Sequence, residues 1–241
     1  ISALTDARSL KKLDLSACGL SASAGERIAA VLDENGCPLE RLDLRGNAIG
    51  AEGTLALASA LRKTKTLKSL NLAQNLIGGD GLRALASALA GETSMEELDI
   101  QHNGCGDEGC MALATHGFGS RLETLLLDLD LSNNSVRDGA KWLAKSLKSG
   151  ASNLKQLNLQ ANEMTDDDAW YIADALGENK TLKTLNLGSN AFGDSAASDI
   201  ASDLRENIAL ETLDLTRNGI GREGACELMD AMDENTTLRR L

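Results

Sequence analysis

The sequence predicts an α/β solenoid, a stack of similar units in which a short parallel strand is followed by a helix. Three observations carry this prediction. An apolar pattern recurs about every 28 residues over the 241 residues of the chain. Within each copy the apolar spacing changes from that of a strand to that of a helix. Hydrophobic residues make up 42% of the chain but aromatic residues only 2%, so the core must consist of many similar aliphatic contacts.

The recurring pattern reads L-x-x-L-x-L-x-x-N-x-I. Its copies begin at Leu10, Leu39, Leu67, Met95, Leu126, Leu154, Leu182, Leu210 and Leu238. The interval between starts is constant, except that it is slightly longer after the first copy and clearly longer after the fourth. We interpret Leu122 to Leu125 as an insertion, because only a start at Leu126 keeps Leu129 and Leu131 in phase with the other copies.

Each unit carries signals for its own elements. After the strand comes a glycine or a short polar residue, namely Gly50, Gly78, Gly106, Thr165, Gly193 or Gly221. Helical spacing follows, as in Leu57 and Leu61. Thr165 and Asp168 have the spacing of a helix-capping box. Because so short a unit cannot bury its own apolar side, stacking of the units must create the core.

The asparagine of the pattern is predicted to form a structural ladder. It occurs in seven units, as Asn47, Asn75, Asn103, Asn134, Asn162, Asn190 and Asn218. A side-chain amide both donates and accepts hydrogen bonds, so it can satisfy backbone groups of its own turn and of the neighbouring unit. The first unit has Cys18 at this place, and a thiol offers only one weak hydrogen bond.

These residues resemble the ribonuclease-inhibitor-like leucine-rich repeats, which occur in ribonuclease inhibitor, NLR immune receptors, the GTPase-activating protein of Ran, tropomodulins and several axonemal proteins. The resemblance implies a horseshoe with a concave parallel β-sheet and convex α-helices. We expect one leucine-rich repeat domain over residues 1–241, with about eight repeats. Residues 1–4 match residues 58–61, and Leu238 and Leu241 begin a ninth strand, so both ends are expected to lie within a repeat.

Net charge and cysteine content limit the classes of partner and the cellular compartment that the sequence predicts. The net charge of -12 and the pI of about 4.7 disfavour nucleic acid and favour a protein partner with a basic surface. No run of 18 apolar residues is present, so no membrane segment is expected. Five cysteines without regular spacing indicate reduced, mostly buried thiols of a cytoplasmic protein, with a cytoskeletal or axonemal location as an option that the resemblance leaves open. Asn-x-Ser/Thr matches at Asn133, Asn179 and Asn235 occur at about the chance rate and do not indicate secretion.

The second, third and fifth positions of the pattern are expected to face outward on the concave surface. The fifth position supplies candidate partner-binding residues: Asp14, Asp43, Asp99, Asp130 and Asp214. This stripe is either a solvated strand face or a site for a basic partner, and the net charge of -4 before residue 126 and -8 after it favours the C-terminal half. At the second position, charges alternate in sign over the first four strands, so neighbours about 4.8 Å apart can pair. These residues are Lys11, Glu40, Lys68 and Glu96.

Three aromatic residues are predicted to share one convex patch. Trp142 and Tyr171 take the same helical position in adjacent units, and Trp170 precedes Tyr171. Other units have small or charged residues at this position, such as Ala56 and Glu227. The patch is either an interface or a place where large rings pack between helices.

No residue set with catalytic or metal-binding spacing is found. His102, Cys105, Cys110 and His116 lie within one unit, but the two cysteines take core positions. The run from Asp166 to Asp168 is better explained by a helix N-terminus than by calcium. We therefore expect no metal, no cofactor and no enzymatic activity.

The function predicted from these features is a scaffold or adaptor for protein partners, as part of a larger protein or complex. Two alternatives stay open, since the same fold serves unrelated functions. One is a GTPase-activating protein of the Ran-directed type. The other is the ligand-sensing repeat region of an NLR-type receptor.

Overall fold

The computed structural model describes residues 9–34, 37–91, 93–117, 126–149 and 153–241. Within them, eight short strands form one parallel sheet in chain order. The strands are β1 (Lys12–Asp14), β2 (Arg41–Asp43), β3 (Ser69–Asn71), β4 (Glu97–Asp99), β5 (Asp128–Asp130), β6 (Gln156–Asn158), β7 (Thr184–Asn186) and β8 (Thr212–Asp214). A parallel sheet needs a long connection between consecutive strands, and here each connection contains a helix.

The helices are α1 (Ala22–Leu32), α2 (Gly50–Leu61), α3 (Gly78–Leu89), α4 (Gly106–Ala112), α5 (Ala140–Lys148), α6 (Asp166–Glu178), α7 (Asp194–Leu204) and α8 (Arg222–Glu234). A π-helical turn, Leu113–Gly117, continues α4. The alternation of strand and helix confirms the predicted fold class. None of the described helices combines the length and the apolar character needed to span a membrane.

The register of the sheet brings the same position of every unit together. The central leucines of neighbouring strands are opposite each other, as Leu42 and Leu70 are in β2 and β3, and both are almost fully buried. At β4 and β5, Leu98 is opposite Leu129, which confirms the start at Leu126. The proposed insertion, Leu122 to Leu125, lies outside the described residues, as do residues 1–4.

Small residues let neighbouring helices approach closely. A Cβ atom on Gly53 of α2 would lie 3.1 Å from both the Cα and the carbonyl oxygen of Ala22 in α1, and 2.7 Å from Ile49 Cγ2. These are shorter than ordinary van der Waals contacts. The stack therefore depends on the absence of a side chain at this point.

The expectation that the cysteines are mostly buried is wrong. Cys105 and Cys110 are buried and Cys37 is partly buried, but Cys18 and Cys226 are exposed. Cys226 lies on the solvent side of α8. In the described part of the chain no earlier unit covers Cys18. All five thiols are unpaired in the described structure.

Candidate functional site

The pattern asparagines lie where the chain leaves each strand, and each bridges two units. The Asn75 amide nitrogen donates to the carbonyl oxygens of Leu44, in the preceding unit, at 2.8 Å and of Leu72, in its own, at 3.1 Å. Its side-chain oxygen accepts from the amide of Ile49 at 3.3 Å. Comparable bonds to the preceding unit are made by Asn47, Asn103, Asn134, Asn162, Asn190 and Asn218. These side chains join neighbouring units, because their amide groups hydrogen-bond to backbone atoms of both.

The fifth position of the pattern also has a role in the fold. Asp99 accepts a hydrogen bond from the amide of Gln101 at 3.0 Å, and Asn71 accepts one from the amide of Ala73 at 2.9 Å. The same bond is made by Asp14, Asp43, Asp130, Asn158, Asn186 and Asp214. One oxygen of each predicted concave aspartate therefore closes a turn, which an asparagine can do equally well.

Carboxylates gather in a depression of 290 Å³ that β3, β4 and β5 form on the concave face. We call it the acidic depression. In the register of β4 and β5, Asp99 is opposite Asp130 and Glu97 is opposite Asp128. Parallel strands lie about 4.8 Å apart, so the four carboxylates share a small area. Glu97 and Asp128 occupy the third position of the pattern and were not among the predicted site residues.

Burial and mutual repulsion alter the ionisation of this group. Burial raises the pKa of Asp128, and the charges of Glu97, Asp130 and Asp99 raise it further. Burial is also the main cause that raises the pKa of Asp99, to which the charge of Asp130 adds. Within the described residues only Glu97 of these four forms an ion pair, its Oε2 lying 3.6 Å from Arg41 Nη1. The depression holds more negative charge than its surroundings neutralise.

Of the other predicted concave aspartates, Asp14 and Asp214 lie away from this depression. Asp43 is opposite Asn71, which lines the depression, and its charge adds to the causes that raise the pKa of Asp99. Asp14 and Asp43 are opposite each other in β1 and β2, and Asp214 in β8 is opposite Asn186. The expected bias of the concave face toward the C-terminal half is not found, because β6 and β7 carry neutral side chains at the third and fifth positions. Many acidic residues of that half lie instead on α7 and α8.

Charges at the second position of the pattern pair along the rim of the sheet. Lys11 Nζ lies 2.6 Å from Glu40 Oε1, and Lys68 Nζ lies 2.9 Å from Glu96 Oε1. The pairing expected from the alternating signs is thus confirmed. Because these charges neutralise one another, the excess charge of the concave face is concentrated in the acidic depression.

Three aromatic rings meet on the convex face, where α5 and α6 lie side by side. The ring centroids of Trp170 and Tyr171 are 5.1 Å apart at an interplanar angle of 78°. Trp170 is 54% and Tyr171 is 39% exposed, whereas Trp142 packs partly against the core. Together with Ala144 the rings line a depression of 430 Å³. The structure therefore brings the three predicted convex residues together.

Lysines of α5 surround these rings. Lys141, Lys145 and Lys148 line the same depression. Lys148 Nζ lies 2.8 Å from Asp174 Oδ1, and Lys145 Nζ lies 5.8 Å from the ring centroid of Trp142, within the range of a cation–π contact. Lys141 forms no ion pair with the residues that the structure describes. The convex depression has an aromatic floor and a basic rim.

Comparison with known proteins identifies the repeat. A family model described as a leucine-rich repeat matches residues 37–58, 64–86, 92–114, 178–201 and 206–229. These segments fall on the strand-turn-helix units described above. The chain is a leucine-rich repeat solenoid.

The solved structures that are similar to this chain include the following two. Leiomodin-1 actin-binding site 2 shares 27% sequence identity with a TM-score of 0.40, over 43% of this chain and 61% of that one. The tropomodulin C-terminal domain of Caenorhabditis elegans shares 16% identity with a TM-score of 0.48, over 64% of this chain and 91% of that one. A search of curated proteins finds no match.

A second row of asparagines joins the leucine-rich repeats at the turns that lead from helix to strand. Asn207 donates to the carbonyl oxygen of Leu176 at 2.6 Å and accepts from the amide of Leu210 at 2.7 Å. Asn179 and Asn235 take the same place in their units, and all three are buried. Their signal in the sequence is Glu-Asn-x-x-Leu, which recurs with the period of the repeat but begins before the pattern used above. Burial of Asn179 and Asn235 also disfavours glycosylation there.

The cysteine and histidine residues of the fourth leucine-rich repeat are not arranged around a common centre. Burial raises the pKa of Cys105 to about 12 and that of Cys110 well above its usual value. Zinc binds the thiolate form, so this burial opposes zinc binding. Among the described residues, no three His, Cys, Asp or Glu side chains are grouped so as to hold a metal ion.

Acidic residues at the start of α6 have partners in the backbone. Asp168 accepts from the amide of Thr165 at 2.8 Å, as the capping-box spacing predicts. Asp166 Oδ1 accepts from the amide of Gly193, in the next leucine-rich repeat, at 2.6 Å. Three consecutive aspartates could suggest a calcium site. Helix capping and hydrogen bonding between repeats account for two of them.

Proposed function

We propose that this leucine-rich repeat domain binds a protein partner and that the acidic depression receives a basic segment of that partner. The observation that carries the proposal is the grouping of Glu97, Asp99, Asp128 and Asp130 on two adjacent strands. Among the described residues, one arginine forms an ion pair with this group. Electrostatic complementarity of this kind contributes to the association rate and to the choice of partner.

A lysine or arginine side chain would relieve the crowding of these carboxylates. A cation within about 4 to 6 Å of a carboxylate favours its ionised form. Binding would therefore lower the pKa of Asp99 and Asp128, which burial and repulsion raise in the free protein. The cation therefore stabilises the ionised carboxylates, which burial and mutual repulsion destabilise in the free protein.

The fold itself supplies neutral replacements for a test. Asn71 and Asn158 make the same turn bond as Asp99 and Asp130. Substitution of these two aspartates by asparagine should therefore remove charge and keep the turns. At the third position β6 carries Gln156, so Asp128→Gln imitates a residue that the sheet already holds.

The test compares two variants that lose the same charge. The depression variant is Asp99→Asn, Asp128→Gln and Asp130→Asn, and the matched control variant is Asp14→Asn, Asp167→Asn and Asp214→Asn, all three away from the depression. The probe is a short synthetic peptide of alternating lysine and serine, followed by fluorescence anisotropy. We expect the depression variant to bind about tenfold more weakly than the unchanged chain. Raising salt should weaken binding to the unchanged chain, since the screening length is about 8 Å at physiological ionic strength.

Equal weakening in both triple variants would contradict the proposal, because it would mean that net charge alone attracts the peptide. Affinity purification with the same two variants extends the test to natural partners. A relevant partner is lost with the depression variant and kept with the control. A stimulated GTP-hydrolysis assay against a panel of small GTPases separates this function from that of a GTPase-activating protein.

We further propose that the repeats are of the ribonuclease-inhibitor-like type and form one domain of a cytoplasmic scaffold over residues 1–241. The nearly constant interval between units, about 28 residues, supports the repeat type. The continuous sheet order from β1 to β8 supports a single domain. A full-length sequence that interrupts the repeats or adds a nucleotide-binding domain would favour the receptor alternative instead.

A further inference from the structure

We infer that the convex face carries a second docking surface, which binds an acidic peptide segment bearing one large apolar side chain. We call this surface the aromatic–lysine depression, and its argument uses Trp142, Trp170, Tyr171, Lys141 and Lys145. It lies on the helical side of the solenoid, opposite the sheet that holds the acidic depression, and it has the opposite charge.

The rings are not explained by helix packing alone. Other units stack their helices with Ala56, Ala84, Asp199 or Glu227 at the position of Trp142 and Tyr171. Trp170 and Tyr171 hold each other in an edge-to-face contact and stay exposed. A preformed aromatic pair of this kind offers a large contact area at a low cost in conformational entropy.

Charge complementarity selects an acidic occupant. The lining of the depression carries three lysines against one aspartate, Asp174, on a chain whose net charge is -12. Lys148 is already paired with Asp174 and Glu178. The charges of Lys141 and Lys145 have no such partner among the described residues and are available to carboxylates of a second molecule.

The spacing of the lysines restricts the shape of the occupant. Lys141 and Lys145 are four residues apart on α5, hence about 6 Å apart along the helix axis. Acidic residues spaced by two in an extended peptide, or by four in a helix, match this distance. A volume of 430 Å³ accommodates one large apolar side chain between them, since small-ligand pockets span roughly 300 to 1,000 Å³.

Intrinsic fluorescence reads this surface directly, because the two tryptophans of the chain are Trp142 and Trp170. The probe is a synthetic peptide without tryptophan in which glutamates flank one central phenylalanine. We expect a saturable change in tryptophan emission. A peptide with alanine in place of phenylalanine should bind about fivefold more weakly, and a peptide with lysines in place of glutamates should give no saturable response.

Substitutions of surface residues test binding without changing the stability of the fold. Lys141→Gln with Lys145→Gln should weaken binding of the acidic probe about fivefold. The control is Lys155→Gln with Lys183→Gln, at the residues immediately before β6 and β7. It makes the same charge change away from the convex face and should leave binding unchanged. Tyr171→Ala should weaken binding with the unfolding midpoint preserved.

Three results would overturn the inference: no saturable response to the acidic probe, equal responses to the acidic and basic probes, or equal affinity in the two lysine variants. A tryptophan response to vesicles of phosphatidylcholine and phosphatidylserine, without a response to the peptide, would assign the surface to a membrane and overturn it as well. The acidic-depression variant should bind the acidic probe like the unchanged chain. Failure of one proposal is thus distinguishable from failure of the other.

Discussion

The side chain of Asn162 satisfies buried backbone groups in a neighbouring unit. It donates to the carbonyl oxygen of Leu131 at 3.1 Å and accepts from the amides of Asn134 at 2.9 Å and Val136 at 3.2 Å. An unpaired buried group costs about 1 to 3 kcal/mol. We expect Asn162→Ala to lower the free energy of unfolding by about that amount, measured by urea denaturation. The exposed Gln156→Ala is the control, and equal midpoints for both variants would contradict the ladder role.

At residue 128, ionisation opposes folding. A carboxyl group whose pKa is raised in the folded state stabilises the protein below its unfolded pKa, and this contribution is lost as pH rises through the folded pKa. The pKa of Asp128 is raised from the ordinary 3.8 by burial and by neighbouring carboxylates. We expect Asp128→Asn to increase the free energy of unfolding at neutral pH by about 0.5 kcal/mol. This gain should disappear as the pH falls toward 3.8.

Asp214 is the control for this pH dependence, because its pKa is shifted in the opposite direction. The hydrogen bond from the Thr216 side chain is the main cause that lowers it. Its ionised form therefore stabilises the fold above the ordinary pKa, and Asp214→Asn should not gain stability at neutral pH. A gain for Asp128→Asn that persists in acid, or an equal gain for Asp214→Asn, would show that the carboxylate crowding does not control stability.

Between elements, Gly53 marks a helix contact that depends on a missing side chain. A methyl group there would meet the backbone of α1 at Ala22, 3.1 Å away, and backbone cannot rotate aside. Overpacking costs about 1 to 3 kcal/mol, whereas alanine in a helix is favoured over glycine by about 1 kcal/mol. We expect Gly53→Ala to lower the thermal unfolding midpoint. Gly177→Ala in α6 is the control, because the nearest atoms to a Cβ there belong to the Asp203 side chain, which can move, and not to backbone. This substitution should raise the midpoint.

Although the whole molecule has a net charge of -12, it carries surfaces of opposite charge on its two faces. The carboxylates of β4 and β5 face one side of the solenoid, and the lysines of α5 face the other. Such a distribution lets one domain approach a basic and an acidic partner from different directions. The arrangement gives the proposed scaffold function a physical basis.

Collisional quenching measures this distribution without any partner. Both tryptophans lie among the lysines of the convex face, so iodide should quench their fluorescence more strongly than caesium in spite of the negative net charge. Lys141→Gln with Lys145→Gln should reduce or reverse the difference, while neutral acrylamide should quench both proteins alike. Stronger quenching by caesium in the unchanged chain would show that the local potential at this face is negative.

The fold class could be predicted from the sequence because every unit must bury the same apolar positions. The apolar spacing of residues 39–49 already specifies which side chains enter the core, and so short a repeat makes stacking the only way to bury them. Even the longer fourth interval left the register of β5 readable, since Leu129 and Leu131 keep their phase. The exposure of Cys18 and Cys226 could not be predicted from the sequence, because it depends on which neighbouring residues cover them.

The repeat pattern already grouped Asp99 with Asp130 and Trp142 with Tyr171, but the full set of residues in each candidate site required the tertiary structure. Glu97 and Asp128 are far apart in the chain, and only the pairing of β4 with β5 makes them neighbours. Likewise the lysines of α5 and the rings of α6 share a surface only because the two helices stack. The repeating unit and its core follow from the amino-acid pattern alone, because hydrophobic burial is the same in each copy. The distribution of charge between the two faces depended on distances across units, which sequence spacing does not contain.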